Sequence, residues 1–290
     1  MNILVAVDDS PAGLRALQWA AGLAARTESD LQAVRTWAYP YIPAEGLEDA
    51  DHMDRRVLRE LRDAVARLER SDVAIDTVVL RGPAGPALLS FVETHKPSLM
   101  VVGRRGPDTP RTLLGSVSRR LVEQAHIPVA VVSGEDTNGR PALGRIAVGV
   151  DGSSNSTRAL QWAIDLAAKV GADLVLVNAV GFDAEAPTAV PDRFDASTVV
   201  LEDAAALVRA SGVDVEVVSV AGDARLVVEE VAAERQADLI VVGTRGLGKL
   251  GQLLLGSIAG YLAQHVTRPV VVIPPAPQVL SPTQWGKGPP

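Results

Sequence analysis

At 290 residues, with 47% hydrophobic and 22% charged side chains, the chain is long enough for two soluble globular domains. A net charge of −7 leaves no basic stripe to offset a phosphate backbone, so no nucleic-acid partner is expected; the lack of cysteine removes disulfides, thiolate zinc sites and cysteine nucleophiles together. No apolar run approaches about 18 residues, so no membrane span is expected, and Met1-Asn2 leads straight into a strand with no room for a signal peptide, which predicts a cytoplasmic location.

Strand and helix signals alternate along the chain. Ile3–Val7 is a continuous apolar run of strand length, the pattern of a strand buried on both faces. A helix follows with Leu14, Leu17, Ala21 and Ala24 on one stripe, then a short strand near Leu31–Thr36 and a Tyr- and Pro-rich loop from Trp37 to Pro43. The next helix has Met53, Val57, Leu61, Ala64 and Leu68 on its apolar face, and the alternating charges from Glu48 to Arg70 mark a solvated face opposite. Strand Ala74–Leu80, helix Ala84–His95 and strand Leu99–Val102 come next. A glycine loop, a helix from Ser116 and strand Val129–Val132 complete the unit.

From Arg145 to Pro274 the order repeats, with a shorter helix predicted around Asp195–Ser211. Ile3–Asp8 returns as Ile146–Asp151, and Ala16–Ala20 returns as Ala159–Ala163, each 143 positions on. Leu99–Gly103 returns as Leu239–Gly243, and Pro128-Val129 as Pro269-Val270. The fold class is therefore α/β: two tandem doubly wound domains, at 1–133 and 145–274, each with a five-stranded parallel sheet. Polar, turn-rich residues 134–144 form a linker, and the Pro- and Gly-rich segment 275–290 forms a flexible C-terminal tail containing Trp285.

The stretch from Asp238 to Pro274 carries the chemistry. Buried strand Leu239–Val242 runs into a loop with Gly243 and Gly246, and Gly256-Ser257 then opens a helix with Ser257 as its expected N-cap. Glycines let backbone N–H groups approach an anion, and the helix N-terminus adds unpaired N–H groups and a positive dipole end. Such a phosphate cradle needs no catalytic side chain. Gly243 to Lys249 also fits a P-loop, but Leu250 stands where Ser or Thr is needed for magnesium. Gly246, Gly248 and Gly251 fit a dinucleotide fingerprint, but they follow a late strand and no acidic residue lies about 20 positions on. Both readings are rejected.

The spacing Gly243, two residues, Gly246, nine residues, Gly256-Ser257 resembles, residue for residue, the motif of ATP-binding universal stress proteins. The run from Gly256 to Ile273 is similar to that family's ending. The resemblance implies a Rossmann-like strand order 3-2-1-4-5 in each domain, with the ligand in the crevice between strands one and four. It implies ATP and Mg²⁺ as ligands. Asp151, Gly152, Gly243, Arg245, Gly246, Gly248, Gly256 and Ser257 would surround the phosphates, and the backbone near Asn178, Ala179 and Val180 would read the adenine. In the first copy Asp8, Thr36, Gly103, Arg105, Gly106, Gly115 and Ser116 take the corresponding places, beside Arg35 and Trp37. Asp151 and Asp8 are the implied Mg²⁺ ligands, a single carboxylate plus phosphate oxygens suiting that ion. From the residues alone, Asp151 reads first as an N-cap of the next helix, and the resemblance reverses that order.

The two copies are not equal. Only eight residues, Pro107 to Leu114, separate Gly106 from Gly115, and Pro107 and Pro110 cannot donate backbone N–H groups. Arg104, Arg105 and Arg111 are candidates to replace those donors by direct phosphate contacts. A weaker first site is expected. The four histidines form no repeated set, so no histidine metal site or histidine dyad is expected, and Trp19 and Trp162 read as core. No general base repeats beside the cradle. The resemblance implies nucleotide-dependent signalling or stress response as the function, with slow ATP hydrolysis or reception of cyclic AMP as alternatives. Pro128–Val132 and Pro269–Ile273 would be apolar edge strands, so they are expected to pair within one chain, with a homodimer of whole chains as a further expectation.

Overall fold

The computed structural model describes residues 1–39, 49–68, 72–105, 114–133, 143–181, 191–244, 246 and 255–276, with 191–196 described by backbone alone. The first half contains β1 (Asn2–Ala6), α1 (Pro11–Thr27), β2 (Asp30–Trp37), α2 (Ala50–Ala66), β3 (Ile75–Arg81), α3 (Ala84–His95), β4 (Leu99–Gly103), α4 (Ser116–Gln124) and β5 (Val129–Val132). The second half repeats them as β6 (Arg145–Gly149), α5 (Ser154–Val170), β7 (Asp173–Val180), α6 (Pro191–Ala210), β8 (Val215–Ala221), α7 (Ala224–Glu234), β9 (Leu239–Gly243), α8 (Ser257–His265) and β10 (Val270–Ile273).

Local chemistry accounts for the boundaries. Ser10 and Ser153 cap α1 and α5, accepting from the N–H groups of Gly13 and Ser156, and Pro11 supplies a preset φ to the first turn of α1. Gly171 ends α5 at φ 68°, in the left-handed region a Cβ disfavours. One expectation fails: α6 has 20 residues and exceeds the 17 of α2, so it is not the shorter helix. Its extra turn begins at Pro191, a residue that closes a strand or loop in a sequence reading yet fits the first turn of a helix.

The strands form one ten-stranded sheet in the order β3-β2-β1-β4-β5-β10-β9-β6-β7-β8. Each half is parallel and has the order 3-2-1-4-5. The halves meet where β5 and β10 run antiparallel, with Val131 opposite Val270 and Val129 opposite Val272. Strands β1, β4, β6 and β9 lie inside, which is why their sequences are continuously apolar; Ile3, Val5, Val101, Ile146, Val148 and Val241 are all fully buried. One apolar layer joins the sheet to α1, α2, α5 and α6, and the other joins it to α3, α4, α7 and α8; each includes residues from both halves. Trp19 is buried in the first layer and Trp162 packs against its edge. Among the described residues no helix is long and apolar enough to cross a membrane.

The side chain of Arg104 crosses between the halves. It is 4% exposed and donates from Nη1 to the carbonyls of Gln264 (3.1 Å) and Val266 (2.9 Å) at the end of α8. The free carbonyls of a helix C-terminus attract a cation in this position. Arg104 is therefore not the phosphate contact its place after Gly103 suggests; it is committed to the opposite half.

Candidate functional site

In the second half a cavity of about 420 Å³ opens at the carboxyl ends of β6 and β9. Asp151, Ala179, Gly243, Gly246, Gly256 and Ser257 line it together. Gly152 and Val180 are not among the lining residues, and Arg245 and Gly248 lie outside the described residues. The crevice forms where β6 is flanked by β9 and β7, so the chain leaves the sheet on opposite sides and sequence-distant residues converge.

Gly256, not Ser257, is the N-cap of α8, and no side chain caps this end. The Gly256 N–H is spent on the Thr244 carbonyl at 2.8 Å. Helix geometry leaves the N–H groups of Ser257, Ile258 and Ala259 without an intrahelical acceptor, and all three residues line the cavity. The positive end of the α8 dipole therefore faces the cavity.

Asp151 is not a helix cap; that role falls to Ser153. Its Oδ1 accepts from the Ser153 N–H at 2.9 Å, which fixes the carboxylate. Its Oδ2 faces Gly246, where an added Cβ would lie only 2.3 Å away. Gly246 is thus required by the carboxylate's approach. Gly243 has a different reason: a Cβ there would meet Asn155 of α5 at 2.9 Å, so this glycine serves the packing of strand against helix. Gly152 adopts φ 79°, and its value lies in turning the chain out of β6.

The backbone expected to read an adenine also resolves into single residues. Val177 gives its carbonyl to the Val150 N–H, and Val180 gives its own to the Gly222 N–H. Alternation along a strand then turns the backbone groups of Ala179 toward the side where β6 has ended, while those of Val180 face β8. Ala179 offers a free reading edge and Val180 does not. Behind them Asn178 is buried, donating to the Val150 carbonyl (2.6 Å) and accepting from Ser197 (2.7 Å). The apolar wall comes from Val177, Val228, Val242 and Ile258. Val228 and Gly149 had no motif to announce them; only the topology brings α7 and the inner strands to one cavity.

The first half has a smaller cavity, about 130 Å³, lined by Asp8, Thr36, Gly103, Gly115 and Ser116 among others. Arg105 is not a lining residue, and Gly106, Pro107, Pro110 and Arg111 lie outside the described residues. Asp8 Oδ1 accepts from the Ser10 N–H (3.0 Å) and contacts the Ser10 hydroxyl, and a Cβ on Gly13 would lie 2.2 Å from it. Arg35 pairs with Asp9 and approaches Glu60 at 3.3 Å, and Trp37 donates to Asp54 at 2.7 Å, so the indole is tied to α2 rather than turned toward the cavity. His95 and His265 stack on Phe91 and Tyr261 of their own helices. Among the described residues no group of three or more His, Cys, Asp or Glu is placed to hold a metal.

At the start of α7, whose Ala224 lines the second cavity, Asp223 is the N-cap and is held by Arg225. Hydrogen bonds from the Arg225 side chain and backbone lower its pKa to about 2. Arg225 also lies over the Tyr261 ring, 5.8 Å from its centre.

Comparison with known proteins agrees with this architecture. A model of the universal stress protein family matches residues 1–133 and 143–274. A universal stress protein of Mycolicibacterium smegmatis is 30% identical, covering 94% of this chain and 97% of its own. One of Mycobacterium tuberculosis is 31% identical, covering 94% and 96%. In fold, the chain is similar to the crystal structure of a universal stress protein from Archaeoglobus fulgidus, with a TM-score of 0.70, 21% identity and coverage of 94% and 98%. The chain belongs to the universal stress protein family.

Proposed function

We propose that this universal stress protein binds ATP with Mg²⁺ in its second half and acts in stress response or signalling by changing conformation or partners with nucleotide occupancy. The observation that carries the reading is the convergence of Asp151, Gly246 and the uncapped start of α8 in a cavity of about 420 Å³. The N–H groups of Ser257, Ile258 and Ala259 hold phosphate oxygens, and Gly246 keeps the floor open beside Asp151. Asp151 supplies one carboxylate to the ion, which neutralises phosphate charge when bound. The residues present suit that group, since Mg²⁺ completes its shell from phosphate and water. Ala179 offers backbone groups to the base, and the valine wall excludes water from it.

Among the described lining residues Asp151 is the one charged side chain. Asp151 is engaged by the Ser153 N–H and directed at the proposed metal position, and the other described lining residues are apolar, glycine, or the hydroxyl residues Ser156, Thr244 and Ser257, which are not bases near neutral pH. The chain is accordingly a binding protein, with residues 1–133 and 145–274 as its two domains and the β5–β10 pairing joining them in solution. Isothermal calorimetry on the full chain tests the reading. Asp151→Ala should weaken Mg-ATP binding at least tenfold, and Gly246→Val should abolish it with the fold intact. Unchanged affinity in a folded Gly246→Val chain overturns the assignment.

A further inference from the structure

The two cavities share one plan but not one size: about 420 Å³ in the second half against about 130 Å³ in the first. Much of the wall keeps its residue type, with Val34, Ala84 and Val102 standing where Val177, Ala224 and Val242 stand in the second half. Six lining positions change: Gly13 and Val117 stand where Ser156 and Ile258 stand and remove heavy atoms, Ser118 stands for Ala259 with its hydroxyl spent on the Gly103 carbonyl, and three others enlarge the wall of the first cavity. Ala6 replaces Gly149, Thr36 replaces Ala179 and Leu88 replaces Val228, each adding heavy atoms on the first-half side.

These residues are held rigidly. Leu88 is 2% exposed on α3, and Ala6 and Thr36 sit on strands paired on both sides. A close-packed interior does not move aside for a ligand without cost. Pockets for ligands of nucleotide size run from about 300 to 1,000 Å³. The second cavity falls within that range and the first well below it.

We propose that Ala6, Thr36 and Leu88 are specificity-determining residues that exclude the nucleoside portion of a nucleotide from the first site, so that the chain binds one nucleotide and not two. The identity of the ligand rests on the function proposed above; the exclusion rests on the three side chains.

The test is the stoichiometry of Mg-ATP binding to the full chain by calorimetry. Wild type should bind one equivalent. The triple variant Ala6→Gly/Thr36→Ala/Leu88→Val, which copies the second half, should bind two. The reciprocal variant Gly149→Ala/Ala179→Thr/Val228→Leu should lose at least tenfold in affinity at its remaining site. A Cβ on Gly149 would sit 3.1 Å from Val242 Cγ1, a tight contact that Val242 must relax, so this variant is first shown to be folded by circular dichroism. It then decides the matter if the first triple variant fails to fold. Two equivalents in wild type, or one equivalent in a folded triple variant, overturns the inference. Wild type binding none refutes the proposed function instead, and the inference then stands only if the triple variant gains one equivalent.

Discussion

The carboxylates of this chain differ in what their neighbours demand of them. Asp223 is held below the ordinary range by Arg225, and a carboxyl with a lowered folded-state pKa stabilises the fold above its unfolded value, near 3.9. That contribution is lost as pH falls from about 4 toward about 2. Asn also caps a helix well, so Asp223→Asn removes the charge and keeps the cap. Urea midpoints measured from pH 5 to pH 2 should fall more steeply for wild type than for Asp223→Asn. Parallel acid limbs would show that Asp223 is not coupled to folding. Single residues also mark where sequence reading stops. The pattern of Gly243, Gly246, Gly256 and Ser257 was legible, yet it could not separate Gly246, which makes room for Asp151, from Gly243, which makes room for α5. Both answer to sterics between residues about 90 positions apart in sequence, and spacing alone carries no such information.

At the scale of elements, α8 is held at both ends by groups of different origin. Its start faces the second cavity, and its finish receives Arg104 from the loop that follows β4 in the other half. Replacing Arg104 with Met leaves the Gln264 and Val266 carbonyls buried without this donor. The expected loss is about 1–3 kcal/mol of stability, read from urea unfolding of the full chain. An unchanged midpoint would mean that water or a neighbouring donor takes its place. The sequence placed Arg104 next to a glycine motif and invited a phosphate-binding role. Its actual direction depends on the angle at which the halves meet, which no local pattern encodes. Helix α6 was misjudged for a related reason, since Pro191 punctuates loops and helix starts alike.

For the whole molecule, the repeat and the alternation of strand and helix were legible because buried parallel strands leave an unmistakable apolar run, whereas the strand order came only with the family resemblance. The fusion of both apolar layers across the two halves was not, as each half reads as a complete unit. Pairing of β5 with β10 makes both strands interior members of a ten-stranded sheet. Their amides should therefore exchange with solvent as slowly as those of β1 and β6. Rapid exchange throughout Val129–Val132 and Val270–Ile273 would show that the halves separate in solution.

Because β5 and β10 are antiparallel, the carboxyl ends of the two half sheets point to opposite rims of the molecule. Helix α8, nine residues and about 13 Å long, spans part of that distance, with its start toward one rim and Arg104 at its finish. A flat partner surface can thus cover one cavity at a time and never both. Two separate partners, by contrast, can sit on the opposite rims together without colliding, and under the function proposed above one of them would read whether nucleotide is present. Together with the proposed exclusion of nucleotide from the first site, that would make the chain a two-ended coupler, with a changeable end and a constant one.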